Sequence, residues 1–146
     1  MLRVPSGARA AMAAVLLAAG AAAGLAAGCG GDDDDSTPRL NAELFDWGIK
    51  LDRTSVPAGD VRVKAKNTGS TEHELVFVRT DLPEDKLPVK DNKVDEEQVE
   101  LAGEIEKFPA KKSREATLEL SAGRYVLICN IATHYELGMH TVLEVQ

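Results

Sequence analysis

The sequence predicts an all-β sandwich. Short runs in which apolar and polar side chains alternate recur along the chain, and clusters of Gly, Pro, Asn and Ser punctuate them. With 146 residues there is room for one domain of this kind, and no internal repeat divides it.

The first 28 residues read as a signal peptide outside that domain. Met1 to Arg9 carries Arg3 and Arg9 without an acid, and Ala10 to Gly28 is an uncharged run of Ala, Gly, Leu, Val and Met. A membrane-spanning helix is the competing reading. The run is mostly Ala and Gly, however, and leads into Gly30, Gly31 and four aspartates, which favours export. Leu25-Ala26-Ala27-Gly28-Cys29 resembles a bacterial lipobox, which implies cleavage before Cys29 and acylation of its thiol. Residues 29–39 are then a lipidated N-terminus and acidic tether, kept solvated by repulsion among Asp32 to Asp35. This predicts an extracytoplasmic protein held to the cell membrane.

Removing residues 1–28 takes away two of 17 basic side chains and none of 24 acidic ones, leaving 15 against 24, a net charge of −9. That sign argues against a nucleic-acid partner.

The domain itself is expected over residues 40–146. Glu43 to Leu51 reads as a strand, with Phe45, Trp47, Ile49 and Leu51 in one phase. Pro57 to Asp60 is a turn, and Val61 to Lys66 alternates cleanly, as a strand with one wet face does. Asn67-Thr68-Gly69-Ser70 breaks the pattern before His73 to Arg79, an apolar run fit for a more deeply buried strand. Asp81 to Pro109 differs in character: Pro83, Pro88 and dense charge argue against continuous strand. Val99, Leu101 and Ile105 are spaced for a short helix or an irregular excursion. Its acidic face either docks a basic redox partner or is simply solvated. Lys112 to Leu120 and Arg124 to Cys129 form two further strands around Ser121-Ala122-Gly123, and Met139 to Val145 closes the chain.

The chemistry concentrates near the C-terminus, in Cys129-x4-His134-x4-Met139. If Cys29 carries lipid, Cys129 is left as an unpaired thiol in an oxidising compartment, and metal ligation explains it. Thiolate and thioether together favour copper, and a trigonal His2Cys site with a weak axial Met is the blue-copper arrangement. His73, opening a strand, is the obvious second imidazole. Taken singly, Cys129 and Met139 would be core residues and His73 a surface one; their joint spacing makes the ligand reading the better one. His140 should face away from a site that Met139 faces, because adjacent strand residues point to opposite sides.

These residues resemble those of the cupredoxins. The resemblance rests on Gly123-x-Tyr125, the Cys129-x4-His134-x4-Met139 loop, and the Asn67-x-Gly69 turn before His73. The spacing is similar to that of longer-loop members such as rusticyanin and sulfocyanin, and the wording around His134 to small bacterial cupredoxin-like lipoproteins. Where many members follow the first ligand with Asn, this chain has Glu74. The resemblance implies a Greek-key sandwich and one mononuclear type 1 copper held by His73, Cys129, His134 and Met139. It further implies one-electron transfer with partners such as cytochromes or oxidases. Ile131, Ala132, Tyr135 and Leu137 would form an apolar rim facing the partner.

Other classes are weaker. Cys129 as an enzymatic nucleophile with His134 as base lacks the cationic or helix-terminal setting that activates a thiol. Zinc gains little from Met. The substantive alternative is copper delivery, storage or sensing with the same ligands; a metal-free adhesive sandwich is the remaining class.

Overall fold

Arg39–Phe45 (β1) and Gly48–Leu51 (β2) form a tight hairpin, not one strand. The structure, a computed structural model, describes residues 36–146. The signal peptide, the lipidation at Cys29 and residues 30–35 of the tether lie outside the described residues. Among those described, no helix is long and apolar enough to cross a membrane.

The chain continues through Ser55–Val56 (β3), Gly59–Asn67 (β4), His73–Arg79 (β5), Val89–Lys90 (β6) and Lys93–Val94 (β7). A single 3₁₀ turn at Glu96–Gln98 precedes Glu100–Phe108 (β8), Ser113–Leu120 (β9), Gly123–Ile128 (β10) and His140–Val145 (β11). Two sheets result, ordered β2-β1-β4-β9 and β3-β11-β10-β5-β8, with β6 and β7 as a separate hairpin. β1 and β4 run parallel, as do β3 and β11; the other pairings are antiparallel. The chain changes sheet between β2 and β3, β3 and β4, β4 and β5, β8 and β9, and β9 and β10. The result is a β-sandwich.

The β1–β2 hairpin corrects the expected phase. Leu40, Ala42 and Leu44 point into the core, while Phe45 and Trp47 are 41% and 43% exposed. Reversal at Asp46-Trp47 pairs Phe45 with Gly48, so apolar residues on either side of the turn no longer share a face. Phe45 folds its ring over Gly48, where a Cβ would come within 2.6 Å of it.

The excursion also needs correcting. It contains no α-helix, and its second half is the nine-residue strand β8, paired with β5. β8 is an edge strand with two breaks in register, and only Ile105 and Phe108 are fully buried along it. Charged residues are tolerated on an edge because one side of the strand and much of its surface meet water. That hides the alternation expected of a strand.

Alternate residues of β4 (Val61, Val63, Ala65) join Leu40 and Leu44 of the neighbouring β1 and Leu75, Phe77, Leu127 and Leu143 of the other sheet in one buried core. Val76, Val78, Val126, Ile128, Leu87, Val94 and Tyr135 form a second apolar cluster. Consecutive residues of β5 and β10 are divided between the two clusters. Both strands are thus covered on both faces, which is why they read as continuous apolar runs.

Candidate metal centre

The two central strands of the larger sheet carry the site. His73 is the first residue of β5, and Cys129 follows the last residue of β10. The loop to β11 is a succession of turns. His134 N–H donates to Ile131 O (2.9 Å), Leu137 N–H to Thr133 O (3.0 Å) and Gly138 N–H to Tyr135 O (3.0 Å). Its neck is closed by Met139 N–H to His134 O and Cys129 N–H to Met139 O, both 3.1 Å. Gly138 takes φ +115°, a backbone state that L side chains rarely adopt.

This brings three ligand atoms together. His73 Nδ1 lies 3.3 Å from His134 Nδ1 and 3.9 Å from Cys129 Sγ, and Cys129 Sγ lies 3.4 Å from His134 Nδ1. The point equidistant from the corners of such a triangle is about 2.1 Å from each, the reach of a metal–imidazole or metal–thiolate bond. His73, Cys129 and Met139 are fully buried, and His134 is 7% exposed. Met139 is held at the neck by its backbone bonds to Cys129 and His134.

The electrostatics fit a metal-binding trio. Burial pushes the Cys129 thiol up to about 11, although the Glu74 N–H, 3.5 Å away, donates to its sulfur. Burial, and then the neighbouring His73, hold His134 below the usual imidazole range. A cation at the centre would reverse the first effect by stabilising the thiolate.

Several residues around the trio escaped the sequence reading. Asp46, in the β1–β2 turn, places Oδ1 2.8 Å from His73 Nε2. Its Oδ2 accepts from Ser70 N–H (2.7 Å) and the Ser70 hydroxyl (2.5 Å). These Ser70 bonds, more than His73, hold the carboxyl down at about 2. Gly69 is required by this contact, since a Cβ there would overlap Asp46 Oδ1 and lie 2.7 Å from His73 Nε2. Trp47 packs edge-on against His134 at 4.8 Å between ring centroids and reaches His73 at 6.3 Å. No local pattern announces Asp46 or Trp47, because both act across sequence distances that only the sandwich closes.

Bracing comes from asparagines other than the position after His73. Asn67, fully buried, accepts from Gly69 N–H and donates to Thr71 O and Phe108 O, fixing the turn before His73. Asn130, next to Cys129, accepts from Val94 N–H (2.7 Å) and donates to Val94 O (3.1 Å) and Glu96 Oε1 (2.8 Å). Thr133 N–H donates to Asn92 O, and Tyr135 OH accepts from Leu87 N–H while donating to Glu84 O. The acidic excursion is therefore a clamp on the metal loop. This corrects the expected rim: Tyr135 is buried under the excursion, while Leu137 and Ala132 are exposed. His140 stands outside the trio, against the Tyr135 ring and 3.6 Å from Glu84 Oε2.

No protein-family model matches the chain, and no curated protein matches it in sequence. Solved structures do. Reduced auracyanin from the photosynthetic bacterium Roseiflexus castenholzii superposes with TM-score 0.52 at 22% identity, over 75% of this chain and 96% of that one. Rusticyanin from Thiobacillus ferrooxidans gives TM-score 0.57 at 18% identity, over 75% and 77% of the two chains. Reduced rusticyanin gives 0.56 at 20%, over 75% and 79%. Rusticyanin is a copper protein. At these identities the likeness establishes the fold, the cupredoxin β-sandwich, on which the buried His73–Cys129–His134 trio fits a type 1 site.

Proposed function

We propose that this cupredoxin sandwich binds one copper ion through His73, Cys129 and His134, that the Met139 thioether would be a weak further donor, and that the protein serves as a one-electron carrier. The observation that carries the reading is the buried triangle of two imidazole nitrogens and one thiol sulfur. Copper bound there would supply the Cu(I)/Cu(II) couple.

The chain's own residues do the rest. β5 and β10 are buried on both faces, so the sheet holds His73 and Cys129 in place, and the closed neck does the same for the loop. Ligands held this way change little between oxidation states, which fast electron exchange requires. Burial excludes water, and Trp47, packed on His134 and 43% exposed, gives a short contact route between the site and the surface. Leu137, 51% exposed, and Ala132 leave apolar surface on the metal loop for a redox partner such as a cytochrome or oxidase. Export and lipid anchoring at Cys29 belong to the same reading, supported by the charged, apolar and lipobox-like segments of residues 1–29.

Absorption and electron paramagnetic resonance of the purified protein after adding Cu(II) test the proposal. An intense thiolate-to-copper band in the red with narrow copper hyperfine splitting is expected, and Cys129→Ser should abolish both. A colourless protein that still binds Cu(I) would replace electron transfer with copper delivery, storage or sensing.

A further inference from the structure

Beyond the ligands themselves, the β1–β2 turn reaches across to the back of His73. We infer that Asp46 is a positioning residue that fixes His73 for the metal and lowers the reduction potential by favouring Cu(II). The inference rests on the copper reading above and adds to it a residue that sets the balance between oxidation states.

The geometry commits both oxygens of Asp46. Oδ1 takes His73 Nε2 at 2.8 Å, and Oδ2 takes both donors of Ser70. An ionised carboxylate can only accept, so Nε2 must carry the proton and Nδ1 must present its lone pair to the triangle. Three sequence segments meet to build this contact: the turn holding Asp46, the turn holding Gly69 and Ser70, and the start of β5. Gly69 leaves open the space in which Asp46 and His73 meet, because a Cβ there would overlap the carboxylate. Asp46 is 22% exposed at its side chain and His73 is fully buried, so the pair straddles the boundary between water and core.

The consequence is a charge effect. A carboxylate on the far nitrogen makes the imidazole a better donor, and partners of this kind typically change metal affinity 10- to 100-fold. The negative charge favours the ion of higher charge, so Cu(II) gains more than Cu(I). A role in folding alone would weaken both ions equally and leave their ratio unchanged.

The experiment compares the wild type with Asp46→Asn, which keeps an acceptor for Nε2 and removes the charge. Cu(I) and Cu(II) dissociation constants are measured separately by competition with chelators, alongside the potential and the visible spectrum. The Cu(II) constant should rise about tenfold relative to that for Cu(I), which for a one-electron couple is about +59 mV. Ser70→Ala removes the hydroxyl donor to Oδ2, while the Ser70 N–H still holds that oxygen and His73 is untouched. With one donor fewer the carboxylate accepts more strongly from Nε2, so the ratio should shift by less and in the opposite direction, which carries the test if Asp46→Asn does not fold. A wild type with the red band and variants with an unchanged ratio would overturn this inference while leaving the copper reading intact. A wild type without the band would overturn the copper reading instead.

Discussion

Asn130→Ala tests whether the acidic excursion is a working part of the metal loop. The side chain makes three hydrogen bonds, two of them to the main chain of Val94, which is 2% exposed. Truncation orphans a buried N–H and a buried C=O, each costing about 1–3 kcal/mol. The third bond, to Glu96, is less buried and adds little. Some water will enter the vacated space, so the expected loss is about 2–4 kcal/mol, a large share of a domain's usual stability. Denaturant unfolding of the metal-free protein measures it. Hydrogen exchange should show where it falls: local opening of Val94 and residues 84–96 becomes faster, while Phe77 and Leu127 in the central strands speed up by no more than the measured loss of global stability allows. A loss below about 1 kcal/mol, or unchanged local opening along residues 84–96, would refute the view of the excursion as a clamp fastened at Asn130.

Two further outcomes follow from the site. Trp47 is the chain's only tryptophan and touches His134, so Cu(II) binding should quench most of the intrinsic tryptophan emission; His134→Ala should remove that quenching at matched metal concentration. Metal-free stability should fall as the pH rises from about 9 to about 11, because the unfolded chain releases the Cys129 proton over that range while the folded chain retains it. The folded state then binds more protons than the unfolded one, and the difference amounts to about 3 kcal/mol. Thermal melts of wild type and Cys129→Ser across that range isolate it, since other groups titrate equally in both, and a metal-loaded wild type should lack this component.

Local patterns in the sequence carry the fold class and the set of soft-metal donors. Clean alternation marks Val61 to Lys66, both-face burial makes His73 to Arg79 and Arg124 to Ile128 continuous apolar runs, and Cys, His and Met sit close together in one loop. Such signals are local, so periodicity and spacing expose them. What was illegible was long-range. Phe45 and Trp47 looked like core because alternation continues on paper through a turn that reverses the chain. β8 looked irregular because an edge strand need not alternate, and Tyr135 looked like rim because its covering segment lies 48 residues upstream. Only the tertiary structure could bring His73 to a loop 61 residues away and set Asp46 behind it and Trp47 beside it. Those contacts arise from the stacking of two sheets, and no stretch of sequence encodes them alone.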